Sequence, residues 1–277
     1  MKKILVPTDF SPIANKALDI AVDIARHNGA KIELLNVKIY PVGDVWTYYS
    51  VYGYGTSITP INDTWKDIMK ASKAEMDTLI AKYEGVKIKP IIEETALDFI
   101  KVVLEHKADL IVMGSNGAEG LNEFFSGSNS EEIVRFASCP VLVIKGNQNT
   151  FALKKVVLTV DLSHEDFLKK AVNSLPLNNA ELHFLHVDTG EKRINYKERQ
   201  EQMHKLADKI GLKKCQFEIH ESSTIEHGIL EYADKINADL IVMYTHGRKG
   251  IRHFFKGSIA EDVVNHAKMP VFTYVEA

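Results

Sequence analysis

Short apolar runs and stretches of helical periodicity alternate along the whole chain. Residues Ile4 to Thr8 read as a strand buried on both faces. Ser11 and Pro12 then supply an N-cap and a first-turn proline. Ala14, Ala17, Leu18, Ala21, Ile24 and Ala25 keep helical spacing up to Gly29. Lys31 to Val37 reads as a strand, Asp63 to Tyr83 as a helix, Val86 to Glu93 as a strand and Leu97 to His106 as a helix. Leu110 to Met113 and Val141 to Ile144 read as strands, with Ser130 to Phe136 in the helix between them. The second half predicts strands over Lys155 to Val160, Glu181 to Val187, Cys215 to His220, Leu240 to Tyr244 and Val271 to Tyr274. Strands that alternate with helices pair in parallel through right-handed crossovers, which gives α/β architecture with helices on both sheet faces. Ligands of such sheets bind beyond the carboxyl ends of the strands, where the strand order reverses.

The alternation is a repeat. Ala108 to Lys145 and Ala238 to Val275 align without a gap, with 17 identities in 38 positions. Two tandem domains of one fold are expected, over 1–146 and 151–277, joined by the polar linker Gly146 to Thr150. The 277 residues fit two domains of ~140 residues each. The first half carries an insert at about 40–62, rich in aromatics such as Trp46, Tyr48, Tyr49, Tyr52 and Tyr54. It reads as a surface flap, a subunit contact or a lid over a ligand.

Composition narrows the function classes. A net charge of -3 gives no general attraction to nucleic acid or membrane, so neither is expected as a partner. Cys139 and Cys215, the two cysteines, stand far apart and form no metal-type pair, as suits a reducing, cytoplasmic setting. The apolar run after Met1 is too short for a signal-peptide core, and no run approaches a membrane span. Gly-x-Ser-x-Gly and the Walker pattern are both absent, so no standard catalytic set is visible. Nine of eleven histidines lie in the second half. His183 and His186, three apart on a strand, point to opposite faces and cannot share an ion from that strand.

The chemistry concentrates after the fourth strand, where Gly114, Gly117, Gly127 and Ser128 form a G-x2-G-x9-G-S/T pattern. Bare backbone at Gly114 and Gly117 would leave room for a ligand. Gly127 and Ser128 sit where a helix begins, and its unpaired N–H groups, with the Ser128 and Ser130 hydroxyls, suit phosphate. Asp9, after the first strand, can accept from a ribose or adenine donor or help hold a magnesium ion that bridges phosphates. A turn or a helix cap explains any single glycine equally well.

These residues resemble the universal stress protein family, in its tandem-domain form. The resemblance rests on Val-Pro-Thr-Asp-Phe-Ser at 6–11, Ala-Asp-Leu-Ile-Val-Met-Gly-Ser at 108–115, the spaced glycines, and Ser-Cys-Pro-Val-Leu-Val at 138–143. It implies two doubly wound, five-stranded parallel sheets in the order 3-2-1-4-5, of the adenine-nucleotide alpha-hydrolase-like kind. It also implies dimer-like pairing, either between domains of one chain or in a homodimer. By the same resemblance ATP, with or without magnesium, is the expected cofactor. Pro7, Thr8 and Asp9 would border the nucleoside, and Val37 would meet adenine through its backbone. Met113, Gly114, Gly117, Gly127, Ser128 and Ser130 would surround ribose and phosphates.

The second copy keeps Asp161, Gly247, Gly257 and Ser258 but has Val160 for Thr8, Tyr244 for Gly114 and Ala260 for Ser130. A tyrosine ring at that strand end is expected to fill the ribose space unless it turns outward. Arg248, Lys249, Arg252 and Lys256 favour an anion there, whereas Glu119 and Glu123 oppose one in the first half. The first half is the expected ATP site; the second, with Asp161, Gly247, Arg248, Gly257 and Ser258, is the alternative. The expected function is a nucleotide-responsive stress or regulatory protein with a protein partner of unknown identity. The competing readings are a slow ATP hydrolase or adenylyl-transfer enzyme, and a nucleotide-free dimerisation or chaperone-like module.

Overall fold

The structure is a computed structural model that describes residues 1–39, 59–95, 98–115, 127–145, 152–160, 165–177, 179–191, 195–212, 214–245 and 259–275. In chain order the first half runs β1 (Lys3–Pro7), α1 (Pro12–Asn28), β2 (Lys31–Ile39), α2 (Thr59–Ile80), β3 (Ile88–Thr95), α3 (Phe99–Glu105), β4 (Leu110–Gly114), α4 (Gly127–Phe136) and β5 (Val141–Ile144). The second half runs β6 (Lys155–Thr159), α5 (Glu165–Ser174), β7 (Glu181–Asp188), α6 (Tyr196–Ile210), β8 (Cys215–Glu221), α7 (Ile225–Ile236), β9 (Leu240–Thr245), α8 (Ile259–His266) and β10 (Val271–Val275). All ten strands of the sequence reading are present, with ends moved by a residue or two. The helix expected from Asp63 starts earlier, at Thr59. The rest of the aromatic insert, 40–58, lies outside the described residues, so its reading as flap or lid has no structural counterpart here.

Each half is a parallel five-stranded unit in the expected order. The two units are fused into one ten-stranded sheet, β3-β2-β1-β4-β5-β10-β9-β6-β7-β8. The junction is antiparallel: Val141, Leu142 and Val143 of β5 face Thr273, Phe272 and Val271 of β10. Each half thereby covers the other's exposed edge, which removes an unpaired ladder from solvent. The Thr273 hydroxyl, fully buried, donates to the Val141 carbonyl at 3.3 Å.

Strand alternation divides the core in two. Ile4, Val6, Ile32 and Leu34 pack with residues of α1, α2, α5 and α6; Leu5, Leu35, Ile111 and Met113 pack with those of α3, α4, α7 and α8. Both faces of inner strands such as β1, β4 and β5 are buried, which is why they read as continuous apolar runs rather than as an alternation. The predicted start of α1 is realised: Ser11 Oγ accepts from the Ala14 N–H at 3.3 Å, and the helix closes on Gly29 with φ of 65°. On the second face α4 and α8 pack against each other across the junction. There Arg135 Nε donates to Glu261 Oε1 at 2.9 Å, and a second guanidinium nitrogen meets Glu261 Oε2. No helix among the described residues is long and apolar enough to cross a membrane.

Candidate functional site

In each half the strand order reverses between the first and fourth strands, so in the first half the carboxyl ends of β1 and β4 border the crevice where an open α/β sheet binds ligands. The β1 exit is tightly held. The Thr8 N–H donates to the Leu35 carbonyl at 2.8 Å, and the Thr8 carbonyl accepts from Asn36 Nδ2 at 2.7 Å. Thr8 Oγ1 accepts from the Phe10 N–H at 3.0 Å, and Asp9 Oδ1 accepts from the Ser11 N–H at 2.8 Å. Phe10 adopts φ of 66°. A positive φ costs a residue with a bulky Cβ substituent free energy, and persists because the flanking hydrogen bonds determine the turn. Pro7 pairs in register with Leu35, and Val37 lies two residues further along β2, buried. Pro7, Thr8, Asp9 and Val37 therefore share one carboxyl edge, as read from the sequence.

Asn36, 2 % exposed, sits beside this turn, and its Oδ1 has no hydrogen-bond partner among the described residues. His186 holds the same register position in the second half, and its buried Nε2 is likewise unpartnered. An orphan buried acceptor is costly unless water or a ligand meets it.

At the end of β4, Met113 is buried in the core, and Gly114 has a clear packing role. A Cβ there would lie 2.8 Å from Ile13 Cγ1 and 2.9 Å from the Ile13 backbone carbon and oxygen. The expectation of vacant space beside Gly114 is thus corrected on its Cβ side, which α1 fills. Tyr244, its counterpart, has a half-buried ring that packs against Tyr274 at 5.5 Å between centroids, on the same sheet face. It covers the sheet face that α1 covers in the first half, so its presence is a packing solution in its own right.

The next residue points to the other face. Ser115, fully buried, receives a hydrogen bond from Ser130 Oγ at 3.1 Å and one from Lys145 Nζ at 3.4 Å. Ser130 stands near the start of α4 and Lys145 directly after β5; both are buried. Burial pushes the Lys145 ammonium down to about 8, with Glu131 acting in the opposite direction. Gly127 and Ser128 open α4. Gly117, Asp161, Gly247, Arg248, Gly257 and Ser258 lie outside the described residues, as do Glu119, Glu123, Lys249, Arg252 and Lys256.

The sequence reading missed Asn36, Ser115 and Lys145. For the last two the signal was present in the repeat, where Ser115 aligns with Thr245 and Lys145 with Val275. The histidines divide as expected. His183 bonds the Tyr232 hydroxyl at 2.9 Å on one face, while His186 lies near Arg199 of α6 on the other. Among the described residues no group of three histidine, cysteine or carboxylate side chains is arranged to hold a metal ion. Burial raises both thiols, Cys139 to about 12 and Cys215 to about 11, which keeps them protonated and unreactive.

The universal stress protein family model matches residues 1–145 and again 152–274. Among curated proteins, the universal stress protein MJ0531 of Methanocaldococcus jannaschii is 33% identical over 152 residues, covering 52% of this chain and 82% of that one. Among solved structures, a universal stress protein from Archaeoglobus fulgidus superposes with a TM-score of 0.68 at 22% identity, over 99% of this chain and 96% of that one. A Pseudomonas aeruginosa protein described as functionally unknown superposes with a TM-score of 0.65 at 18% identity, over 99% and 92%. At these identities the superpositions speak for the fold.

Proposed function

The chain belongs to the universal stress protein family, and we propose that it is a nucleotide-responsive member that binds ATP, or a related adenine nucleotide, at the carboxyl edge of its first half. The observation that carries this reading is the asymmetry of one edge. Ser115, Ser130 and Lys145 gather in the first half, where the second half has Thr245, Ala260 and Val275. A nucleotide offers chemistry to match. Asp9 and the turn at Thr8 would border the nucleoside, with the backbone at Val37 facing the base and the opening turn of α4 facing the phosphates. Asn36 Oδ1, without a hydrogen-bond partner among the described residues, is an acceptor beside that turn, suited to a water or ligand donor.

The division into domains at 1–146 and 151–277 belongs to the same reading, as does regulation of a protein partner in the cytoplasm. ATP would act by population shift, favouring whichever conformation binds it more tightly. Titration calorimetry of the purified protein with ATP tests the proposal, with Asp9→Asn as the comparison. That variant removes the carboxylate charge and keeps an oxygen that can accept from the Ser11 N–H. Saturable binding that weakens about tenfold in the variant is expected, a loss of ~1.4 kcal/mol. No heat at millimolar ATP would remove the reading.

A further inference from the structure

Burying an ammonium group is expensive unless it is well paired, and folds seldom retain one without cause. Lys145 is only 3 % exposed, and the single hydrogen bond it makes among the described residues, with Ser115, is long at 3.4 Å. An ammonium has three donors, and the described residues engage one of them. Glu131 lies near enough to favour the charged form, but no ion pair joins them among the described residues.

The fold does not need this cation. In the second half the same register position, opposite Thr245 and at the end of β10, is Val275. The same helix position as Ser130 is Ala260, fully consistent with an apolar contact in the core. One architecture is therefore built twice, once with a lysine and two serine hydroxyls at this corner and once with valine, threonine and alanine. What the first half adds is donors: an ammonium beside hydroxyls, at the start of α4 where the helix's own N–H groups emerge.

We propose that Lys145, Ser115 and Ser130 form an anion subsite that takes the phosphate chain of a nucleoside polyphosphate and discriminates it from the nucleoside. The proposal rests on the nucleotide reading above and adds to it the residues that select for phosphate. Lys145 contributes charge, Ser115 holds the ammonium at the corner of β4 and β5, and Ser130 fixes Ser115 by its own hydrogen bond. In the second half this corner, with Val275 in place of Lys145, supplies no such selectivity.

Calorimetry with ATP, adenosine and inorganic tripolyphosphate tests this on the full-length protein, its Lys145→Met variant and its Lys145→Val variant. Methionine keeps the length of the stem without the charge; valine is the residue of the second half. The variants should lose tenfold or more in ATP affinity while adenosine binding stays within twofold, so that the ratio of the two collapses. Their melting temperatures should equal or exceed that of the parent, since a buried charge has been removed. Unchanged ATP affinity in both variants overturns the subsite, and so does an equal loss for adenosine, which marks a merely structural role. If adenosine does not bind but tripolyphosphate does, and loses affinity in the variants, the subsite stands and the nucleotide reading fails. A parent protein that binds none of the three overturns both.

Discussion

A single missing methyl group governs the contact between α1 and β4. Gly114 lies against the Ile13 backbone, which cannot move away as a flexible side chain would. Gly114→Ala is therefore expected to cost about 1–3 kcal/mol by overpacking, measured as a lower midpoint in urea. The same contact explains why glycine spacing by itself is an ambiguous sign of a ligand: here packing requires the residue whatever binds nearby. At His186 the prediction concerns pH. Burial first, and then Arg199, depress its proton affinity, and burial likewise depresses that of His183. A histidine with a folded value below its unfolded ~6.5 leaves stability intact above that pH and withdraws it as pH falls. The melting temperature should drop between pH 7 and pH 5, and His186→Asn, which imports the residue of the equivalent first-half position, should flatten the drop. Glu131 and Asp262, raised chiefly by burial and then by neighbouring carboxylates, act with the opposite sign. The difference between variant and parent is what isolates His186.

Elements were the most legible level. Apolar runs such as Leu110 to Met113 and Val141 to Ile144 announced strands because both sheet faces are covered by helices. The cap of α1 was equally plain, and Ser11→Ala should cost about 1 kcal/mol in a thermal melt. The start of α2 was misjudged because Thr59 to Asn62 carries no strong helical period, and helix boundaries follow local hydrogen bonding more than pattern. Of the candidate site, the carboxyl-edge positions of Thr8 and Asp9 were legible, since a residue that follows a strand must lie at its carboxyl edge. Lys145 was not: a lysine at a strand end reads as solvated, and only the corner formed by Ser115 and Ser130 shows it buried.

Across the whole molecule, the junction of the halves is held by little backbone. Three residue pairs join β5 to β10, and the nearby ion pair between Arg135 and the buried Glu261 carries correspondingly more weight. The repeat is unequal here: Asn265 stands where symmetry would place a second arginine, so the pair of Arg135 and Glu261 is not repeated between residue 265 and Glu131. Arg135→Ala should destabilise the protein by roughly 2 kcal/mol, below the cost of breaking a fully buried pair because the guanidinium is half exposed. Chemical denaturation should also become less cooperative between the halves. Retention of the parent midpoint would show that strand pairing alone suffices.

Period, repeat and turn residues together specified two parallel α/β units, because burial on both faces and crossover chirality leave few alternatives for such a pattern. The union of those units into one mixed sheet, the packing duty of Gly114 and Tyr244, and the burial of Lys145 emerged only on folding. Each depends on residues far apart in the chain arriving at the same place, and no local pattern records the distance between them.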